Sequence, residues 1–536
     1  MISVLMFGIA AWQLIRYQKF PVPVTLSFTS AIMVLLVLFS LGFQTATGVI
    51  FFSGDAVMVL AYFLAWLLAV LSGKILARLG TENIDVFLFA ILGFTVISIG
   101  LALVQWLGIE GLNIFVLDMP PGGRPFANFG QPNNFCTLCF LGCASLLYFH
   151  ERGTVRGASF WLAWCWLSFG MALSQSRTGW VQMACLVLGL WWLGRRVNLR
   201  LTRYGLIGLG GVLVVWVTVL PLLASGLLIG LGRTLSEQMQ GGVRGQYWLS
   251  MLSAIIHRPW IGYGWLQTGL AQQLENSGNF NAGVFDFSHN IVLDLIIWTG
   301  LPLGIAIVSC AFIWLMRAWR SLNNGASVII FFAIFGILIH AMLEYPLAYA
   351  YFLIPFGFLM GILRGLSHSD GAWILGRRSM AALILGLASF FALLANDYFS
   401  AEMAIRDLRF ESARISPQTE AVKLPDMLLL TQVQALMHYG YRDPEPDVSE
   451  EALMQTGLVA KRYGFSFALF NYALSSAFRG DYAASQEALK ILCRIHPAEK
   501  CRNARFKWEL LSERHRQSLG MVEFPGGIFP VEKIYR

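Results

Sequence analysis

The sequence predicts an all-α polytopic membrane protein with one large polar loop and a second, helical domain at the C-terminal end. Three observations carry that prediction. Hydrophobic residues are 57% of the chain and charged residues 13%, against roughly 25% charged in an average soluble protein. The apolar residues gather into runs long enough to cross a bilayer, which takes about 20 residues each. Beyond residue 397 those runs stop, and the chain becomes polar and charged with apolar residues at helical spacing.

Taken in order, the apolar runs centre on residues 25–43, 56–73, 86–106, 132–149, 157–174, 179–194, 204–224, 295–316, 326–343, 347–363 and 379–396. Residues 1–15 form a further, shorter run. It has neither a basic leading region nor a small-residue cleavage site, so it does not read as a signal peptide. About twelve transmembrane helices are therefore expected within residues 1–396, interrupted by a large polar loop over residues 225–288. Residues 398–536 form the second domain. Within it, residues 471–492 resemble one tetratricopeptide unit: a helix, a Gly480-Asp481 turn, a second helix, and Pro497 beyond its end. An ordinary helical hairpin reads equally well there.

The net charge of +8 does not point to nucleic acid, because the basic residues alternate by side. One set of loops holds fifteen: Arg16, Lys19, Lys74, Arg78, Arg152, Arg156, Arg195, Arg196, Arg200, Arg203, Arg317, Arg320, Arg364, Arg377 and Arg378. The opposite set, up to residue 350, holds five: Arg124, Arg177, Arg233, Arg244 and Arg258. The positive-inside rule puts the richer set in the cytoplasm. The large loop is then outside, and by parity so is everything after residue 397.

The apolar runs hold no ionisable residue except His340, near an end. Transporters coupled to protons or ions place such groups at membrane depth, and no inverted repeat is visible. Chemistry is expected at the outer interface instead. No metal site is expected. Cys136, Cys139 and Cys143 share a helix face, where small residues ordinarily pack one helix on another. Cys493 and Cys501 are the only cysteines of the outer domain and flank Pro497, which lets the chain turn back. An oxidising compartment would join them.

Several polar residues suit chemistry at that interface. His289 follows Asp286-Phe287-Ser288, read as a helix N-cap, and precedes an apolar run. The positive end of a helix dipole disfavours imidazolium, leaving a ring able to accept a proton near pH 7. The plainer reading is an interfacial histidine satisfied by a loop carbonyl. Arg177 lies in the turn Ser174-Gln-Ser-Arg-Thr-Gly179, a cation on the side that topology leaves poor in charge. Arg244 opens an amphipathic helix with Trp248, Met251 and Ile255 on its apolar side. Guanidinium forks bind phosphate oxygens in pairs, although a snorkelling arginine and a solvated helix face are the plainer readings. The loop from Arg124 to Asn134 is shaped by Pro and Gly. Its Gln131, Asn133 and Asn134 suit sugar hydroxyls, or simply cap the next helix. His340 and Glu344 stand at i, i+4, followed by Tyr345, and the end of a span is the favoured reading there.

Phe-Gly-Gln-Pro-Asn-Asn134, Ser-Gln-Ser-Arg177-Thr-Gly-Trp, Arg244-Gly-Gln-Tyr-Trp, Pro-Trp-Ile-Gly-Tyr263-Gly-Trp and Ser-His289-Asn-Ile-Val-Leu-Asp occur in this order. Together they resemble the O-antigen ligase and polymerase superfamily, and within it the PglL-type protein O-oligosaccharyltransferases of Gram-negative bacteria. The resemblance implies a GT-C-like membrane glycosyltransferase in the inner membrane, with its active site and C-terminal domain in the periplasm. It implies an undecaprenyl-diphosphate-linked oligosaccharide as donor. Arg177 and Arg244 would bind the diphosphate, and His289 would deprotonate the acceptor hydroxyl for one inverting displacement. Arg124, Gln131, Asn133, Gln175, Tyr263 and Tyr345 are candidates for contacting glycan or acceptor. Neither cofactor nor metal is implied. Asn134 stands where many relatives carry a histidine, so no base is assigned there. The expected partners are membrane lipids and an exported acceptor protein, such as a pilin, modified on Ser or Thr. Ligation to lipid A core, polymerisation of a lipid-linked glycan, lipid-glycan transport and a scaffold role are the alternatives.

Overall fold

The computed structural model describes residues 28–109, 114–120, 122–227, 244–275, 283–366, 377–412 and 423–525. Among them every regular element is helical. The helices α1 (Phe28–Ala46), α2 (Ser53–Leu79), α3 (Thr81–Leu107), α4 (Pro132–Glu151), α5 (Gly157–Leu173), α6 (Arg177–Val197), α7 (Arg203–Gly226), α10 (Ile291–Arg320), α11 (Gly325–Ala341), α12 (Ala350–Leu366) and α13 (Arg377–Ser412) coincide with the apolar runs from residue 25 onward. Six are long and apolar enough to cross a membrane: α1, α2, α3, α7, α10 and, within α13, Ile384–Glu411. Three more, α5, α11 and α12, are apolar but shorter. The run at residues 1–15 lies outside the described residues, as do 228–243 and 276–282 of the large loop. The described parts of that loop carry α8 (Arg244–His257) and the short α9 (Thr268–Leu274).

The chain forms two compact units. One is drawn from Met1–Ser30, Tyr62–Gly241 and Ala311–Met380, the other from Ala31–Ala61, Gly242–Cys310 and Ala381–Arg536. In the first, small residues let helices touch backbone to backbone. A Cβ at Gly361 of α12 would lie 2.1 Å from the Val70 carbonyl oxygen of α2, and one at Gly73 of α2 would lie 2.2 Å from that of Phe358. Such close approach favours association in lipid, where apolar surface alone gives no preference for a protein neighbour. The α4 cysteines belong to this packing. The Cys136 sulfur occupies the space a Cβ on Gly179 would need, and the Cys139 sulfur faces Gly170.

In the second unit a break in α10 organises the large loop. Gly300 has φ 80°, and Pro302 follows within the helix. Pro302 has no N–H to donate, which releases the Trp298 carbonyl. Gly264 N–H donates to that carbonyl at 3.0 Å, Tyr263 N–H to Ile297 O at 2.8 Å, and Leu301 N–H to Pro259 O at 2.7 Å. The Gln44 side-chain amide of α1 also reaches Trp298 O, at 2.7 Å. Residues Pro259–Gly264 are thus a strap hydrogen-bonded along α10. Its glycines are sterically required: a Cβ at Gly262 would sit 2.5 Å from Ile297 O, and one at Gly300 would sit 2.4 Å from Trp260 O.

The C-terminal helices belong to the same unit. α13 runs unbroken through residue 397. Beyond it come α14 (Thr431–Ala435), α15 (Glu450–Tyr463), α16 (Ser466–Phe478), α17 (Tyr482–Ile495), α18 (Ala498–Arg514) and α19 (Arg516–Leu519). α16 and α17 form the expected hairpin, with Gly480 at φ 80° and the Asp481 side chain capping α17 through Ala484 N–H at 3.0 Å. Their apolar faces share a core with Cys501, Trp508 and Leu519. Cys493 and Cys501 are disulfide-bonded, with Cα atoms 4.9 Å apart. This region joins the large loop directly: Gln273 donates to Lys461 O at 2.9 Å, and Gly283 N–H to Ile495 O at 2.9 Å. An ion pair between half-buried Arg462 and buried Asp55, Nε to Oδ2 at 2.8 Å, ties α15 to the start of α2.

Candidate active site

His289 lies just before α10. The helix begins at Ile291, and its cap is Asn290, whose side-chain oxygen accepts from Val292 N–H at 3.0 Å and Leu293 N–H at 3.3 Å. Ser288, expected to be that cap, instead shapes the turn. Its hydroxyl donates to Asn290 O at 3.0 Å, its N–H to Asp294 Oδ1 at 2.7 Å, and its carbonyl accepts from the Trp248 indole at 2.9 Å. His289 is therefore not in the first helical turn. It precedes the cap with φ 59°, in the left-handed region, which histidine enters more readily than most residues. Asp294 is buried, and the same oxygen also takes the Thr268 hydroxyl at 3.3 Å. Thr268 in turn accepts from the Trp298 indole at 2.8 Å.

One wall of the His289 ring is aromatic. The Phe285 ring meets it edge to face at 5.9 Å, and Tyr247 of α8 packs on Phe285 at 4.3 Å. Burial, and after it the Asp294 and Asp286 carboxyls, push the Tyr247 hydroxyl well above its ordinary range. It stays protonated near neutrality, and the imidazole beside Phe285 is half-buried.

Arg177 is the first residue of α6, in the other unit. Gln175 before it is left-handed at φ 50° and buried. Ser176 is the cap residue, but its side chain does not cap the helix. Its hydroxyl donates to Asn133 Oδ1 at 2.8 Å, and the Asn133 amide donates to Glu344 Oε1 at 2.9 Å. Arg124 Nη1 donates to Gln175 O at 3.1 Å. Arg124, Asn133 and Gln175 are thus brought together around the turn that carries Arg177. Glu344, read from sequence as ending a span, is the buried carboxyl group at the far end of the Ser176–Asn133 chain. Nearby, Thr137 pairs with His340 Nδ1 at 2.9 Å.

The remaining candidates are placed as follows. Arg244 begins α8, and its side chain lies outside the described residues. Tyr263 is buried in the strap; its hydroxyl donates to Ala254 O at 3.0 Å, and Arg258 lies over its ring at 5.0 Å. Tyr345 is half-buried and stacks on Tyr349 at 5.8 Å. Gln131 precedes α4 as its cap residue without a side-chain cap bond.

The O-antigen ligase family matches residues 161–308, the span that contains Arg177, Arg244 and His289. A second family, virulence factor membrane-bound polymerase, C-terminal, matches residues 329–511. A general O-oligosaccharyltransferase of Acinetobacter baylyi is 28% identical over 468 residues, 84% of this chain and 81% of that protein. A ComP-specific O-oligosaccharyltransferase of the same organism is 30% identical over 369 residues, 67% of this chain and 66% of that protein. The chain belongs to the O-antigen ligase and polymerase superfamily. Within the superfamily it is of the PglL type, a membrane-bound glycosyltransferase. The residues that sequence reasoning passed over, Asp294 and Ser176, both stood inside motifs quoted for this superfamily. They act on backbone and amide groups that no spacing rule picks out.

Proposed function

We propose that this glycosyltransferase takes a preassembled glycan from an undecaprenyl-diphosphate carrier and transfers it to Ser or Thr hydroxyls of exported proteins, pilins among them. The reaction takes place at the periplasmic face of the inner membrane. His289 accepts the proton of the acceptor hydroxyl as its oxygen attacks the anomeric carbon. The bond from that carbon to the diphosphate oxygen breaks, with inversion, and undecaprenyl diphosphate leaves. Arg177 and Arg244 bind the diphosphate and offset the charge that gathers on it, so the reading needs neither metal nor nucleotide. Residues 398–536, with their tetratricopeptide-like hairpin, engage the acceptor.

The observation that carries the proposal is the His289 turn. Asp294 and Trp248 bond the backbone of Ser288, and Asn290 caps the helix at Val292, so the backbone on both sides of half-buried His289 is held within the segment matched by the O-antigen ligase family. Protein as acceptor is supported by the names of the two relatives. The test is transfer by purified protein from a lipid-diphosphate glycan to a pilin-like acceptor, with products read by mass spectrometry. His289→Ala should lower turnover about 10²–10⁴-fold, the range for loss of a general base, without changing helical content. Because the family matches are to a ligase and a polymerase, lipid A core and lipid-linked glycan belong in the same assay as rival acceptors. Glycosylation of either in place of the protein would move the chain to that branch.

A further inference from the structure

The α8 helix has two apolar faces. Tyr247, Met251, Ala254 and Ile255 are buried against the rest of their unit. Leu249, Leu252 and Ile256, spaced three and four apart, form the opposite stripe and are 68%, 46% and 76% exposed. No Lys, Arg, Asp or Glu stands between Arg244 and Arg258, and His257 at the helix end meets Glu275 Oε1 at 2.6 Å. A helix exposed to water on one side carries polar residues there, and a helix apolar all round lies in a core or in lipid. At 14 residues it is about 21 Å long, too short for about 30 Å of hydrocarbon. The stripe continues into the strap, where Trp260 is 76% exposed.

The strap fixes the depth of this surface. It bonds to Ile297, Trp298 and Leu301 of α10. Beyond the break at Gly300, the uncharged part of α10, residues 301–316, is about 24 Å long at 1.5 Å per residue, and the strap lies at its end away from Arg317. The Gln44 amide, two residues from the end of α1, donates to Ile261 O at 3.0 Å. Both spans therefore put the strap where their apolar stretch meets the headgroups. Both spans carry exposed apolar residues of their own, Phe39 on α1 and Ile305 on α10. Trp260, with an apolar body and one N–H, and Arg258 beside it match the residue types that settle at that boundary.

We infer that α8 and the strap lie flat in the interfacial layer of the bilayer, with Leu249, Leu252, Ile256 and Trp260 in contact with lipid. The loop that carries Arg244 is on this reading a membrane-resting surface, at the depth where a lipid-borne phosphate sits. The inference does not depend on the glycan, on the acceptor or on the base.

The test uses the full chain in vesicles of phosphatidylethanolamine and phosphatidylglycerol. Leu252→Cys and Ile256→Cys each receive a fluorophore sensitive to its surroundings, with Phe506→Cys on exposed α18 as the aqueous control. The parent chain supplies the background from its own free cysteines. Lipid carrying a nitroxide near the headgroup should quench the two α8 labels at least about twice as strongly as aqueous iodide does, and the control should show the reverse. Iodide quenching of the α8 labels equal to that of the control would overturn the inference. So would protection from both quenchers together with cross-linking between copies, which would make the stripe a contact between two chains.

Discussion

Gln175 and His289 each occupy the left-handed region, with φ of 50° and 59°, and each is followed by the cap residue of an apolar helix. The two turns share this backbone and differ in the cap side chain. Asn290 spends its oxygen on the first turn of α10. Ser176 turns its hydroxyl away to Asn133 and does not cap α6 with its side chain. On the proposed reading, a helix start whose cap residue turns away, with an arginine as its first residue, suits an anion, because the first backbone N–H groups and the dipole act in the same direction. On the proposed reading the capped start of α10 carries the base, and the backbone around it is set by the cap and by Asp294. One backbone device thus leads into two differently finished helix starts, and the difference lies in where a single side chain points.

The largest expected effect comes from breaking the His289 side. Asp294→Ala leaves Ser288 N–H and the Thr268 hydroxyl without their acceptor, at about 1–3 kcal/mol for each buried donor. It should lower the unfolding temperature and abolish transfer together. Asp294→Asn keeps an oxygen acceptor and should recover much of the stability. A variant Asp294→Ala with parental stability and turnover would remove Asp294 from the account.

The arginine side should respond in donor use. Arg177→Lys and Arg244→Lys keep the charge and lose the planar fork. A charge-assisted hydrogen bond is worth about 1.5–3 kcal/mol, so each variant should weaken donor use by roughly 10–100-fold while helical content stays the same. If steady-state kinetics on lipid-linked donor match the parent for both, the diphosphate is bound elsewhere.

A smaller effect sharpens the contrast between the caps. Asn290→Ala should cost about 1 kcal/mol as a lost N-cap, and Asn290→Ser or Asn290→Asp should restore most of it in a thermal melt. Ser176→Ala removes a hydrogen bond to Asn133 but no cap, so Ser176→Asp should not restore stability in the same way. Equal rescue at both positions would mean that the caps do the same work.

The smallest effect lies away from both turns. His496 is buried, and burial holds its pKa below the ordinary histidine value while Nε2 contacts Gly464 O at 2.8 Å. The unfolded chain then takes up a proton that the folded chain refuses. The stability linked to this group is present above about pH 6.5, the ordinary value, and is lost as the pH falls below it. The unfolding temperature should drop between pH 7.5 and 5.5, and His496→Gln should flatten that drop. An equal slope in parent and variant would assign the acid sensitivity to other groups.

The helices were legible because lipid forces them to be long, apolar and internally hydrogen-bonded. The Cys493–Cys501 pair was legible for a similar reason, since the two cysteines and Pro497 are close in sequence and few pairings exist. The site was legible as residue types and much less as geometry. Ser288 and Asn290 are equally good caps on paper. The choice between them follows from Asp294 and Trp248, the latter 40 residues away in sequence. The strap reads in sequence only as part of the large polar loop, and the need of its glycines for close contact with α10 depends on a break at Gly300 that periodicity does not signal. Glu344 looked like the end of a span because its partner, Asn133, is 211 residues away.

The measurement that reaches the central claim most directly follows His289→Ala through two steps in one preparation, donor binding and glycan transfer. The variant should keep parental affinity for lipid-diphosphate glycan and turn over about 10²–10⁴-fold more slowly, as expected for loss of a general base. Turnover near that of the parent, or a loss of donor binding large enough to explain the lost rate, would contradict that claim.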